Sequence, residues 1–247
     1  ARVQASVLDL YDNQRVVGPQ KDGQAISWGE LTAEVSQKLE ALKGTDKSIV
    51  LLTQTFASPS TSKLISEFKQ KYTNVSHVVY DAISESAAAD AFQNKYGKRG
   101  LVNYDFSKAQ TIVSIGADFL GDWQGGGFDA AYAKGRVPKN GKMSRHTQFE
   151  ANMSLSGANA DNRVALKPSQ QKVVLAKLYG KLFGTSVGGD LPAHLQTAVD
   201  RAASELLKAG STAFVLTGIR DVTSPHIVLA IHETLNSKPI HTTQPIK

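Results

Sequence analysis

The sequence predicts an α/β fold with parallel sheets, on the basis of two kinds of segment. Thr111–Ile115 is a short, β-branched and uncharged run that stops at a glycine, which is typical of a strand buried on both faces. Thr212–Thr217 shows the same pattern. Ser48–Leu52 and Val75–Tyr80 are further strand candidates separated by a helical segment, so a parallel pair with a right-handed crossover is expected.

The first half of the chain supplies the strand–helix–strand motif and its flanking helices. Residues 1–24 are polar and contain two turn signals, Gly18-Pro19 and Asp22-Gly23. Ser27 and Glu30 stand three residues apart before an apolar stripe, which predicts a capping box and a helix ending before Gly44. Pro59 begins the crossover helix, and an alanine-rich helix is predicted over 81–96.

The second half continues the alternation of strands and helices. Strands are predicted at 142–148, 162–166 and 212–217, and helices at 128–133, from Pro168, at 191–208 and at 225–235. Residues 150–161 are predicted to be a loop, and the tail after residue 235 is polar. The glycine-rich break at Thr185–Asp190 is the best internal boundary.

Composition limits the classes of function. The 247 residues suffice for one large or two small domains, and the formal net charge is +6 with a pI of about 9.4. The densest basic cluster, Lys134–Arg145, has no interleaved aromatic residues to stack bases, which favours a solvated basic face over a nucleic-acid interface. No apolar run reaches transmembrane length and no signal peptide is recognised. A chain that starts at Ala1 without methionine is expected to be a processed or excised piece.

The absence of cysteine excludes disulfides, thiolate metal sites and cysteine nucleophiles within these 247 residues. The six histidines show no H-E-x-x-H or comparable ligand spacing, and neither a nucleophile elbow nor a phosphate-binding P-loop occurs. We therefore predict that the chain binds no metal.

A binding crevice, if there is one, is expected after the central strand. In open parallel sheets, ligands bind beyond the carboxyl ends of the strands, which directs attention to residues 116–127. Gly125–Gly127 could aim backbone N–H groups at a phosphate, and Asp118, Asp122 and Asp129 could gather at the mouth of the crevice. The alternative, that these glycines only turn the chain and the aspartates only cap helices or turns, stays open.

Three segments carry a resemblance to one protein family. They are Tyr104–Trp123, Phe128–Arg136 and, above all, Phe149–Arg163, in which Glu150–Arg163 is the most specific part. Together they resemble the large peripheral subunit of bacterial alternative complex III, a molybdopterin oxidoreductase-like protein also described as Tat-variant-translocated. The N-terminal turns and Ser27-Trp28 fit this family as well, so the resemblance covers nearly the whole chain.

The family is related to molybdopterin enzymes of the dimethyl-sulfoxide-reductase type, and the motifs of those enzymes are partly present. The resemblance implies that Gly116-Ala117-Asp118 matches a motif that holds a guanine dinucleotide, and that Ala160-Asp161 matches a recurring pair. The Pro-Gly-(Thr/Ser)-Asp motif reads Pro168-Ser169-Gln170-Gln171 here, so its glycine and aspartate are missing. The loop that supplies the metal ligand contains Ser84 and Ser86 but no cysteine.

The resemblance implies a fold of two Rossmann-like lobes, like the central domains of those molybdopterin oxidoreductases. Residues 1–80 and 190–247 are expected to form one discontinuous lobe and residues 81–189 an inserted second lobe. It also implies no cofactor in this chain, with a vestigial molybdopterin site, and iron–sulfur clusters only in a separate cysteine-bearing region.

The expected function is a structural, docking part of a quinol-oxidising electron-transfer complex, not catalytic alone. Its expected partners are the other subunits of the respiratory complex, including membrane and cytochrome subunits. It is expected neither to bind nucleic acid nor to insert into the membrane. The expected location is peripheral, on the periplasmic side of the inner membrane. Two alternatives stay open: a fragment of a genuine molybdopterin guanine dinucleotide-binding oxidoreductase, and a stand-alone nucleotide-binding protein.

The vestigial crevice is expected to be filled by side chains. Gly116, Asp118 and Asp161 are predicted to lie near the carboxyl ends of adjacent strands. At least one of Phe119 and Trp123 is predicted to pack inward, since burying such a side chain contributes on the order of 1.5–3 kcal/mol.

Overall fold

The computed structural model describes residues 2–56, 58–82, 84, 86–238 and 240–246. The fold is mixed α/β with parallel sheets, as the sequence predicts. The chain divides into two compact units, residues 1–82 (unit 1) and residues 83–247 (unit 2), and the glycine-rich break at Thr185–Asp190 lies within unit 2.

Unit 1 consists of a capped helix followed by a strand–helix–strand motif. Its elements are α1 (Arg2–Ala5), β1 (Gln20–Lys21), β2 (Gln24–Ala25), α2 (Trp28–Leu42), β3 (Ile49–Thr53), α3 (Pro59–Lys71) and β4 (Val75–Val79). The capping box is confirmed, since the Glu30 N–H donates to the Ser27 hydroxyl (3.2 Å) and the Ser27 N–H donates to the Glu30 carboxylate (2.7 Å). The predicted parallel pairing of β3 with β4 is confirmed as well.

Unit 1 buries few of its side chains. Among those described in this unit, only Tyr72 and Val75 are buried. One face of the β3–β4 pair is bare, with Val50, Leu52 and Val78 exposed by 59%, 65% and 44%. Parallel strands are normally covered on both faces, so this apolar face lacks the layer that such a sheet requires.

Unit 2 is organised on a four-stranded parallel sheet with the order β8-β7-β6-β9. Its helices are α4 (Ser86–Tyr96), α5 (Asp129–Gly135), α6 (Leu155–Ala158), α7 (Pro168–Phe183), α8 (Ala193–Ala209) and α9 (Thr223–Leu235). Its strands are β5 (Leu101–Tyr104), β6 (Thr111–Ile115), β7 (Arg145–Glu150), β8 (Asn162–Ala165), β9 (Ala213–Thr217) and β10 (Ile240–Ile246). In this order β6 is an inner strand: β7 and β8 lie on one side of it, and β9 lies on the other.

All five residues of β6 are buried, as its composition predicts. Val113 and Ile115 belong to a core with apolar residues of α7, α8 and α9, whereas Ile112 points into a second, aromatic-rich core. Alternate side chains of a strand point to opposite faces, so both faces of the sheet are covered by hydrophobic cores.

A second, antiparallel sheet joins β5 to β10. Neither strand was predicted, because β5 follows directly on a helix and β10 lies in a polar tail. Ile240 lies opposite Tyr104 and Ile246 opposite Leu101, with an irregular register between these pairs.

The predicted arrangement of two lobes is wrong in one respect. The strand expected to complete the first lobe, Thr212–Thr217, forms β9 and pairs with β6, with Ala213 opposite Thr111 and Thr217 opposite Ile115. Residues 190–247 therefore belong with the supposed insertion, 81–189, in unit 2. The physical reason is that β9 has two apolar faces, and β6 offers it an edge between the two cores.

In the described part of both units, no helix combines the length and the apolar character that crossing a membrane requires.

Hydrogen exchange on the intact chain should reveal unequal stability in the two units. We expect the amides of β3 and β4 to exchange faster than those of β6 and β9, because sparse burial lowers the free energy needed for local opening. Mass spectrometry of peptides containing these strands provides the measurement, with β6 as the internal reference. Equal protection of the two sheets would contradict the small core of unit 1.

Candidate functional site

The crevice predicted from the sequence lies where β6 and β9 end side by side. The order of the sheet reverses at this pair, which is where ligands bind in open α/β sheets. Here the segment that follows β6 is in direct contact with the segment that follows β9. The Gly218 N–H donates to the Ile115 carbonyl (2.9 Å), and a β-carbon on Gly218 would overlap the carbonyl of Gly116. The space between the strand ends is therefore occupied by backbone.

Gly116 is exposed to solvent, but the Gln171 side chain of α7 lies close to it. It has a φ of +71°, which favours glycine, and a β-carbon there would lie 3.1–3.3 Å from the side-chain amide of Gln171. Gln171 occupies the position at which the family motif has aspartate. The replacement of the motif's aspartate by Gln171 thus places a side-chain amide next to Gly116.

Asp118 follows β6 at this edge, and its carboxylate is used within the fold. Its Oδ1 accepts hydrogen bonds from the N–H (2.9 Å) and the hydroxyl (2.7 Å) of Ser156, at the start of α6. The same hydroxyl accepts from the N–H of Leu120 at 2.9 Å. The loop after β6 and the segment 150–161 are locked together, and that segment contains a short helix where a loop was predicted.

The prediction that Phe119 or Trp123 packs inward is confirmed. Phe119 is fully buried and stacks on Phe106 with ring centroids 4.5 Å apart. Trp123 is half-buried and contacts Tyr104 and Phe128, at centroid distances of 5.5 and 5.8 Å. Aromatic side chains thus fill the space below the loop.

The cavities left beside Gly218 and Trp123 are about 20 and 30 Å³. This is the volume of one water molecule, and Gln124, which lines both, has a buried amide oxygen without a partner among the described residues. Ser84 lines the smaller cavity, and its hydroxyl accepts from the N–H of Ser86 (3.1 Å). The serine loop therefore lies at this edge of the sheet.

Asp161 was predicted at the same edge, and this prediction is wrong. It immediately precedes β8, so it lies at the amino ends of the strands. There it accepts from the N–H of His146 (2.7 Å) and pairs with both terminal nitrogens of Arg136 (2.7 and 2.8 Å). Burial acts to raise the pKa of Asp161, but these hydrogen bonds outweigh it and hold the pKa below its usual value.

The other predicted contributors lie apart from any assembled site. Asp122 precedes a short 3₁₀ turn and Asp129 lies in the first turn of α5. A β-carbon on Gly126 would lie 2.9 Å from the carbonyl oxygen of Gly121, so the glycine run permits a tight turn of the chain. The described residues contain no group of three or more His, Asp or Glu side chains able to hold a metal ion.

Sequence reasoning missed a row of buried polar side chains on β7. His146, Gln148 and Glu150 alternate along one face of the strand, and this alternation is the signal that could have revealed them. Gln148 donates through its amide nitrogen to the Ala117 carbonyl (3.2 Å) and to Glu150 (3.3 Å). Its amide oxygen therefore accepts from Nε2 of His146 (3.1 Å), while Nδ1 of His146 lies 3.2 Å from the Tyr132 hydroxyl, which donates to the Asn159 carbonyl (3.0 Å).

Glu150 ends this row and holds the following segment in place. Its carboxylate accepts from Nε of Arg163 (2.6 Å) and from the hydroxyl of Ser154 (2.5 Å). The carboxylate lies against Gly157, where any side chain would overlap it. The most specific part of the family-like stretch, residues 150–163, is thus organised around the ion pair between buried Glu150 and partly exposed Arg163.

No protein-family model matches the chain, and no curated protein matches its sequence. Among solved structures, it is similar to the crystal structure of the formyltransferase/hydrolase complex of Methylorubrum extorquens with methylofuran, with a TM-score of 0.57, 14% identity and coverage of 86% of this chain and 56% of that chain. It is also similar to acetylene hydratase of Pelobacter acetylenicus, with a TM-score of 0.55 and 12% identity; the match covers 92% of this chain and 35% of the hydratase chain. At these identities the likeness shows the fold alone, and the chain spans about half and a third of those two chains.

Replacing Gly218 with alanine should destabilise the protein by about 1–3 kcal/mol, because the new methyl group has to displace the Gly116 carbonyl. Gly188→Ala is the matched control, since a β-carbon there meets no atom within 4 Å. Urea unfolding of both variants and the parent chain measures the difference. A Gly218→Ala variant as stable as the control would mean that the strand ends are not in contact.

Stability should fall as pH decreases from 6.5 to about 4. Burial lowers the pKa of His146 and of His232 from 6.5 to about 4, so in this window the unfolded chain binds protons that the folded chain refuses. The contribution of the neutral histidines to the free energy of unfolding is complete above pH 6.5 and is lost by about pH 4. Each histidine contributes on the order of 3 kcal/mol. Unfolding free energies measured across this range should show a smaller slope for His146→Gln, and an unchanged slope would contradict the assignment.

Proposed function

We propose that this protein is a molybdopterin-oxidoreductase-like domain without a cofactor, which acts as a structural and docking part of a quinol-oxidising complex of the alternative complex III type. In this proposal its α/β units are Rossmann-like lobes, related to the central domains of dimethyl-sulfoxide-reductase-type enzymes. The resemblance of residues 104–123, 128–136 and 149–163 to that family supports the assignment. The domain is not catalytic alone.

The observation that carries the proposal is the close contact between the backbone after β6 and the backbone after β9, at Gly116 and Gly218. A guanine dinucleotide needs an open crevice lined with donors, whereas the Gly116 carbonyl contacts Gly218 and the Gln171 amide lies over Gly116. The remaining cavities, about 20 and 30 Å³, are far below the roughly 300 Å³ of a small-molecule site.

The acid expected to hold the guanine also supports this interpretation. Asp118 accepts two hydrogen bonds from Ser156 through one carboxylate oxygen. A ligand that bound this oxygen would have to break these bonds, and an unpaired buried donor costs about 1–3 kcal/mol. The carboxylate thus contributes to the fold at the expense of ligand binding.

Unit 1 supports the docking role. Its bare β3–β4 face and an apolar groove of about 480 Å³, lined by Leu51, Leu64, Ile65 and Phe68, are surfaces of the kind that partner proteins cover. We propose that the partners are other subunits of the complex, among them membrane and cytochrome subunits. The proposed location is the periplasmic side of the inner membrane, peripheral to it.

One observation favours the alternative, a fragment of a genuine molybdopterin guanine dinucleotide-binding oxidoreductase. Ser84, which aligns with the metal-ligand loop of those enzymes, lines the small cavity beside Gly218. In a cofactor-binding protein this cavity would have to expand, since it is about 20 Å³.

Calorimetry with GMP and GDP tests the proposal, with AMP as the control for non-specific attraction to a basic protein. We expect guanine nucleotides to bind no more tightly than millimolar and no better than AMP, because the contact between Gly116 and Gly218 leaves cavities of only about 20 and 30 Å³ beside it. Elemental analysis and mass spectrometry of the native protein should find neither molybdenum, tungsten nor pterin. Micromolar, guanine-specific binding or a stoichiometric metal would establish the alternative.

A further inference from the structure

The opposite edge of the unit 2 sheet, at the amino ends of the strands, carries an open cleft of about 720 Å³. Its floor includes Thr111 and Arg145, at the starts of β6 and β7. The ends of α5 and α8 form its walls, and a turn over residues 139–142 forms part of its rim. This cleft is larger than the cavities at the Gly116 edge by more than an order of magnitude.

The cleft concentrates positive charge. Its basic side chains outnumber its one acid, Glu205, by six to one: Lys108, Lys134, Lys139, Lys142, Arg145 and Lys208. Glu205 is already paired with Arg145 (2.9 Å) and with Arg201 (3.0 Å). The whole chain has a formal net charge of +6, so the excess charge is largely localised in this cleft.

Most of these lysines have no internal counterion. Lys108 pairs with Asp105 at 2.8 Å. Across residues 2–56, 58–82, 86–238 and 240–246, no ion pair joins Lys134, Lys139, Lys142 or Lys208 to an acid. These four ammonium groups are therefore available to an anionic ligand.

Two of the lysines are held directly opposite each other. Lys139 and Lys142 exchange two backbone hydrogen bonds of 2.9 Å across a tight turn, in which Asn140 and Gly141 have φ angles of +52° and +73°. Directly opposed residues project side chains to the same face, and like charges in that position are destabilising. The fold thus places a repulsive pair at the rim, and an anion bound between the lysines would relieve the repulsion.

The lining of the cleft, rather than helix dipoles, favours one class of anion. The helix ends at the cleft are carboxyl ends, of α5 at Gly135 and of α8 at Ala209; their partial negative charge disfavours phosphate and carboxylate alike, so the basic side chains supply the attraction. No aromatic side chain lines the described cleft to stack a nucleobase. Val137 and Met143 are exposed there by 59% and 47%, which suits a ligand with apolar groups among its carboxylates.

Ser144 adds an unused polar group on the floor. The residue is only 6% exposed and lines the cleft, and its hydroxyl has no hydrogen-bond partner in the described part of the chain. Buried hydroxyls are nearly always hydrogen-bonded, so this one marks a place where a partner is missing.

We propose that this cleft is a docking site for an acidic polypeptide segment of a partner subunit, one that presents several Asp or Glu side chains together with apolar ones. This inference rests on the proposed docking role and specifies one surface and the chemistry of its partner. It does not depend on the absence of a cofactor, which concerns the other edge of the sheet.

Fluorescence anisotropy with a fluorescein-labelled peptide of alternating Glu and Leu tests the proposal, with a Gln/Leu peptide as the uncharged reference. We expect binding of the acidic peptide alone, weakening as salt is raised because the attraction is screened. Lys139→Glu/Lys142→Glu should weaken it at least about tenfold, whereas Lys98→Glu/Lys238→Glu, which changes two exposed lysines of unit 2 outside the cleft, should change it less than about twofold.

Lys139→Gln/Lys142→Gln serves as a second variant should charge reversal disturb folding, and thermal unfolding should find it no less stable than the parent chain. Equal losses in the cleft and control variants would reduce the effect to net charge and overturn the proposal. Tighter binding of inorganic tripolyphosphate, of oligothymidylate or of anionic phospholipid vesicles would overturn it in favour of that ligand. If neither the acidic peptide nor guanine nucleotides bind, the docking site proposed here is overturned, whereas the proposed function is not.

Discussion

The burial of β6 on both faces is the constraint on which unit 2 depends. Its five residues, Thr111–Ile115, are uncharged, and their alternate side chains enter two separate cores. A strand of this kind requires a hydrogen-bonded neighbour on each edge and a covering layer on each side. The neighbours are β7 and β9, and the layers come from α7, α8 and α9 on one side and from the aromatic cluster around Phe106 on the other.

This arrangement gives the two ends of the sheet opposite properties. At the carboxyl ends, where such folds bind ligands, one oxygen of Asp118 accepts two hydrogen bonds from Ser156, Gly218 contacts Gly116, and Phe119 stacks on Phe106 below the loop. At the amino ends, a wide cleft carries lysines without counterions. Asp118 is hydrogen-bonded at the edge where a ligand site would be expected, although the Gln124 amide oxygen there has no partner among the described residues, whereas four lysines lack a counterion at the edge where folds of this class rarely bind small molecules.

Local features were predictable from the sequence, and non-local ones were not. The Ser27–Glu30 box and the limits of β6 depend on neighbouring residues and were correct. The pairing of β9 with β6 joins residues about a hundred positions apart, and nothing in either segment specifies its partner. Asp161 was predictable in principle, because a residue that precedes a parallel strand lies at the amino edge. The contact of Gln171 with Gly116 depends on where α7 crosses the sheet, which no local pattern contains.

The bare face of the β3–β4 pair also matters while the protein is being made. Unit 1 precedes unit 2 in the chain, so the ribosome releases its apolar strands before the better-packed unit exists. An exposed parallel pair with open edges is a template for pairing with other nascent chains. Val50, Leu52 and Val78 therefore face other nascent chains as apolar surface before unit 2 has folded.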